Sequence, residues 1–157
     1  MKLKEHLEKE MGIGTRVIVV SQYPEILDFG RERGLQTIEN PFAAEGITAS
    51  IRLGTQAAGE DDYYLYAVAD QPWLRWETVA GLIEHFLPRS YSELASIGCL
   101  EHGGRRGNPG IFHKRYREEL LALKGDKGGS QLMKRYPHEV MEYPAEAREL
   151  EDMDQPV

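Results

Sequence analysis

The chain has 157 residues, with 19 Lys and Arg against 26 Asp and Glu, a formal net charge of −7 and a hydrophobic fraction of 41%. This composition suits one folded domain with a real core and excludes wholesale disorder, while the acidic balance argues against a nucleic-acid backbone as main partner, which would need clustered Lys and Arg. Cys99 is the single cysteine, which excludes an intrachain disulfide and a Cys-based zinc site, and no apolar run approaches the ~20 residues that span a bilayer.

In chain order, Leu3, Leu7 and Met11 fall at i, i+4 and i+8 on a charged background, the pattern of an amphipathic helix closed by Gly12 or Gly14. RVIVV (16–20) is a continuous β-branched run, as expected of a strand covered on both faces. Pro24 opens a helix that ends at Gly34, and 35–38 is a short second strand. A loop over 40–46 precedes a helix over 47–58, and YYLYAVA (63–69) is the clearest strand, ending at Asp70-Gln71-Pro72. A helix over 76–86 carries Val79, Leu82, Ile83 and Phe86 on one side, 95–100 reads as a strand, and 101–108 reads as a glycine-rich connection. Helices over 116–123 and 130–136 flank the glycine-rich loop 125–129, and a short strand over 139–143 precedes an acidic tail from 146 on. Alternating strands and helices predict an α/β fold with a largely parallel sheet. The amino-terminal MKLKEHLEKE lacks the apolar core of a signal peptide. The expectation is therefore a single cytoplasmic domain over 1–157, with neither membrane nor nucleic acid among its partners.

Asp70 is the sharpest chemical feature, because ligands in open α/β sheets bind beyond the carboxyl ends of strands. A carboxylate there suits Mg²⁺, which takes one or two carboxylates plus waters and substrate phosphates; the same residue could equally cap the turn through Pro72. Asp152 and Asp154, at i and i+2, lie on one face if the tail is extended, and read either as further metal ligands or as a solvated acidic terminus. Gly103 to Gly110 packs four glycines and a proline into eight residues, so it is either a plain hairpin or a loop that lets a ligand approach, with Arg105 or Arg106 against phosphate. The loop 125–129 resembles an anion site at a helix start but lacks P-loop spacing. Asn40 and Ser50 flank a helix start and read as ligand-binding groups or as a turn residue and a packing serine. Cys99, among apolar neighbours, reads as a small buried hydrophobe.

In order along the chain, RVIVV (16–20), ENPFAAEGITASIRLG (39–54), AVADQPWL (67–74), RRGNPGIF (105–112), ELLALKGDKGG (119–129) and EDMDQP (151–156) resemble the MobA-like nucleotidyltransferases: the molybdenum cofactor cytidylyltransferases and their guanylyltransferase relatives. The resemblance implies a Rossmann-like three-layer α/β/α fold. It also implies transfer of CMP or GMP from a nucleoside triphosphate to molybdopterin, with release of pyrophosphate. By the same resemblance Asp70 is the catalytic Mg²⁺ ligand, with Asp152 or Asp154 as its partner. Gly107, Asn108 and Pro109 line the pterin side, Gln71 and Pro72 belong to the substrate-binding turn, and Asn40 and Ser50 border the nucleotide.

Members of that family begin with a strand and a loop of the type LAAGxSxRMGxxK, and nothing of this kind precedes RVIVV. The expectation is thus a domain lacking the first strand and nucleotide loop, impaired in catalysis. A non-catalytic cofactor-binding or maturation module for a molybdoenzyme client is the alternative, and an unrelated sugar-phosphate nucleotidyltransferase is a third reading.

Overall fold

The computed structural model describes residues 2–125 and 127–153. In chain order the regular elements are α1 (Lys2–Glu10), β1 (Ile18–Ser21), α2 (Pro24–Glu32), β2 (Gln36–Glu39), α3 (Ile47–Ala58), β3 (Tyr63–Tyr66), α4 (Trp76–Tyr91), β4 (Ile97–His102), β5 (Arg105–His113), α5 (Arg117–Leu121), α6 (Ser130–Arg135) and β6 (Val140–Pro144). They form two compact units: residues 2–15, 63–113 and 136–153 make the first, and 16–62 with 114–125 and 127–135 make the second.

The first unit is built on a four-stranded sheet in the order β3-β5-β4-β6. Helix α4 lays Val79, Leu82, Ile83 and Phe86 into the core with Leu100 and Ile111, and α1 adds Leu7, with Leu3 and Met11 packed alongside. Leu82 and Phe86 are completely buried, each worth about 1.5–3 kcal/mol of transfer free energy. The helix follows the expected apolar face and then continues through Pro88 to Tyr91. In the second unit β1 and β2 pair in parallel, joined by α2, whose Pro24 stands in its first turn. Its buried residues include Leu27, Ala49, Ile51, Leu120, Leu123, Leu132 and Met133. Among the described residues no helix is long and apolar enough to cross a membrane.

This is the expected α/β class, but the sheet is mixed rather than largely parallel. Strands β4 and β6 run parallel, whereas β3 and β4 are both antiparallel to β5. The reason lies in the glycines at 103 and 104. Both have positive φ, +58° and +85°, as the two central residues of a type I′ hairpin turn require. They fold β5 directly back onto β4, so only two residues of the expected connection over 101–108 turn the chain, and Arg105–His113 is a strand.

Candidate active site

Strand β3 stops at Tyr66, three residues before the apolar run ends, because of what stands opposite on β5. Tyr66 pairs with Gly110, and the next residue along β5 is Pro109, which has no N–H to offer the ladder. On the other side of β5 the register jumps from Cys99 opposite Gly110 to Leu100 opposite Gly107, which leaves Asn108 and Pro109 outside the pairing. The Asn108–Pro109 peptide is cis. Freed from the sheet, the chain from 67 to 75 forms the turn that presents Asp70 and Pro72 to solvent.

Gln71 points the other way. It is 7% exposed, and its Nε2 donates to the carbonyl of Asn108 at 3.0 Å and to that of Glu149 at 3.2 Å. Two acceptors take both amide hydrogens and so fix the orientation of the side chain. Its Oε1 is buried without a hydrogen-bond partner among the described residues, an acceptor that a bound N–H or O–H donor would satisfy. Asn108 is exposed, whereas Pro109 is buried and shapes the backbone beneath it.

Residues 146–153 of the acidic tail form a strap. Glu146 and Glu149 form a reciprocal capping box around the 3₁₀ turn Ala147–Leu150. Leu150 seats on Gly107, where a Cβ would stand 2.7 Å from Leu150 Cδ2. Beyond the turn, the Met153 N–H donates to the Asp70 carbonyl at 2.7 Å. This bond holds the Met153 main chain against that of Asp70, with Asp152 the residue before it on the strap; Asp70 and Asp152 are both exposed. Asp154 lies outside the described residues.

Of the two arginines singled out for phosphate, Arg106 pairs with Glu142 at 3.0 Å, whereas Arg105 reaches the Leu150 carbonyl at 3.4 Å. Arg148 covers the half-exposed Trp73 ring at 4.9 Å. Sequence reasoning missed Arg148 and Glu149, both lost in the acidic tail. The E-x-x-E spacing of 146 and 149 was the signal that could have found the strap.

In the second unit, Asn40 is 2% exposed. Its Nδ2 donates to Ser50 Oγ at 2.9 Å and its Oδ1 accepts the Phe42 N–H at 2.8 Å. Both ends of the amide are thus engaged in tying the loop after β2 to α3, and Ser50 is half-buried. A cavity of about 320 Å³, lined by Thr48, Arg52 and Lys124 among others, lies beside α3 and includes neither Asn40 nor Ser50. In the glycine-rich loop the Gly125 carbonyl accepts the Thr48 hydroxyl at 2.6 Å. Cys99, back in the first unit, is buried, and desolvation pushes its thiol up to about 11.

Residues 4–140 match the family model of the MobA-like NTP transferase domain. The chain belongs to this family. Among curated proteins none matches it in sequence. Solved structures do: a nucleotidyl transferase from Methanothermobacter thermautotrophicus is 21% identical, with a TM-score of 0.72 over 90% of this chain and 68% of that one. A Mycobacterium tuberculosis protein solved in complex with manganese is 18% identical, with a TM-score of 0.71 over 98% of this chain and 80% of the other. The molybdopterin-guanine dinucleotide biosynthesis protein A of Archaeoglobus fulgidus is 17% identical, with a TM-score of 0.53 over 88% and 67%. These likenesses are of fold: the domain shares the Rossmann-like α/β architecture of these structures.

The donor set beside the strap suits a hard divalent cation. Asp70 and Asp152 offer carboxylate oxygens, and one or two carboxylates are what Mg²⁺ takes when phosphates and water complete its shell. Among the described residues no group of three or more His, Cys, Asp or Glu gathers into an all-protein cage.

Proposed function

We propose that the protein transfers CMP or GMP from a nucleoside triphosphate to the phosphate of a molybdopterin-type cofactor, working in the cytoplasm to supply molybdoenzyme clients. An oxygen of the acceptor phosphate bonds to the α-phosphorus, the bond from that phosphorus to the bridging oxygen breaks, and pyrophosphate leaves. The observation that supports this reading is the Met153 to Asp70 main-chain bond, which ties the chain next to Asp152 to the turn that follows β3 and carries Asp70.

Asp70, with Asp152 or Asp154, would hold Mg²⁺, which neutralises charge on the phosphates when bound. Nucleotidyl transfer asks little covalent work of the protein, and the chain's own groups act by position and charge. Arg105 on β5 and Arg148 on the strap supply cations for phosphate oxygens. Gly107, Asn108 and Pro109, with Gln71 and Pro72, form the acceptor side, and the unpaired Gln71 Oε1 is suited to a donor on that ligand. Asn40 and Ser50 are assigned to the nucleotide.

The test is a thermal-shift titration with CTP, GTP and ATP, each with and without Mg²⁺, followed by assay of pyrophosphate release with molybdopterin. Binding to the native state raises stability by RT ln(1 + [L]/Kd), about 2.7 kcal/mol at a hundredfold excess over Kd. A Mg²⁺-dependent rise with CTP or GTP and release of pyrophosphate is expected. A cooperatively melting protein that none of the three nucleotides shifts would overturn the reading.

A further inference from the structure

Glu149 is 3% exposed, and a carboxylate that deep needs several donors to offset its lost hydration. It has three. Oε1 accepts the Thr78 hydroxyl at 2.5 Å and the Arg75 N–H at 3.2 Å, and Oε2 accepts the Glu146 N–H at 3.0 Å. None of these donors is a cation; the Arg75 guanidinium lies instead 3.6 Å from Glu77. Two of the three donors stand at the start of the 16-residue helix α4, where the helix dipole favours an anion.

This is a cap supplied from far away. Arg75, the N-cap residue of α4, makes no side-chain cap bond, although Ser, Thr, Asp or Asn at that position would serve the helix locally. A helix that needed only its own end satisfied would not draw a carboxylate from residue 149. What the distant cap adds is attachment: the same residue accepts the Gln71 amide on its backbone carbonyl. The next residue, Leu150, seats on Gly107. Two residues further on is Asp152, and then the Met153 N–H on Asp70. Glu149 thus joins the start of α4, the Gln71 turn and the strap at one point.

We propose that Glu149 is a positioning residue that fixes the strap carrying Asp152 against Asp70 and so sets the geometry of the divalent-cation site. This inference rests on the reading of Asp70 and Asp152 as cation ligands, and its experiment separates the two. Mn²⁺ affinity is measured by electron paramagnetic resonance on the full chain for wild type, Asp70→Asn, Glu149→Ala, Glu149→Gln and Thr78→Val. Hydrogen exchange of the Met153 amide is measured on the same samples without metal. Groups that orient metal ligands typically cost 10–100-fold in affinity when removed. Glu149→Ala is therefore expected to weaken Mn²⁺ binding at least about tenfold and to speed Met153 exchange by a similar factor. In Glu149→Gln the amide oxygen still accepts from Thr78 and Arg75, while its NH₂ faces the Glu146 N–H. Partial recovery of both readouts is expected, which a simple loss of charge would not produce. Thr78→Val removes one donor of three and should fall between wild type and Glu149→Ala; it carries the comparison if Glu149→Ala does not fold. Wild-type Met153 exchange in a folded Glu149→Ala or Thr78→Val protein overturns the positioning role. Mn²⁺ binding that Asp70→Asn leaves unchanged overturns the cation reading instead, and exchange at Met153 still decides what Glu149 holds.

Discussion

The residues singled out for chemistry in the two units are held by different kinds of contact. In the first unit, Gln71 and Glu149 bond to groups 37 to 78 residues away in sequence, besides the Glu146 N–H three residues before Glu149. In the second, Asn40 is bonded through its side chain to positions two and ten residues on. The local arrangement is an Asx-type turn joined to a helix, which a short stretch of chain can form by itself. The long-range one exists only once β5, α4 and the strap have met. Damage to the first should therefore propagate along several elements, and damage to the second should stay within its loop.

The largest expected effect is chemical. Asp70→Asn should lower nucleotidyl transfer at least about a hundredfold, since a lost metal ligand forfeits several kcal/mol of charge stabilisation. Its melting temperature should hold, because the side chain is exposed. Pyrophosphate release and a melting curve on one preparation check both halves. Gly107→Val comes next. Its Cβ would meet Leu150 at 2.7 Å, and overpacking of this kind costs ~1–3 kcal/mol. At about 2–4 °C per kcal/mol for a chain of this size, the melting temperature should fall by several degrees. Exchange at the Met153 amide should quicken with it, as the strap lifts.

Asn40→Ala removes a buried amide that satisfies the Phe42 N–H and Ser50, so urea unfolding should show a loss of about 1–2 kcal/mol. Met153 exchange should stay at the wild-type rate. If Asn40→Ala sped that exchange as Gly107→Val does, the contrast between local and long-range holding would be lost. The smallest effect concerns Cys99. Desolvation raises its pKa from 9.0 to about 11, so the folded state disfavours the thiolate. Below pH 9 both states carry the thiol and no difference arises; between pH 9 and 11 the unfolded state ionises first, and stability should fall as pH rises. At pH 8 a thiol reagent should label Cys99 only slowly in the native protein and fully in denaturant, as liquid chromatography with mass detection would show.

Where local pattern governs, the sequence was readable. The helix over 47–58 and the apolar face of α4 follow from periodicity, and α3 occupies Ile47–Ala58 as expected. Cys99 is buried, as its apolar neighbours implied. What escaped depends on partners. Arg105–His113 lacks any alternation that marks a strand, and its extension is imposed by the Gly103-Gly104 turn that returns it to β4. The early end of β3 follows from Pro109, more than forty residues along the chain. Asp70 could be picked from its place at a strand end, but Glu149 could not be told from its solvated acidic neighbours, because only the donors that surround it set it apart. The family resemblance brought Asp70, Asn108 and Asp152 forward as single positions. The bonds from Gln71 and Met153 that relate them belong to the fold.

The bond from Met153 to Asp70 runs between main-chain atoms, so mutation and selection meet it in an unusual way. The exposed methionine side chain has no part in it, and nearly any residue at 153 would donate the same hydrogen. Proline alone has none to give. Across descendants of this chain, position 153 is free to drift in size, charge and polarity while the strap keeps its register, and the constraint shows only as one amino acid that never appears.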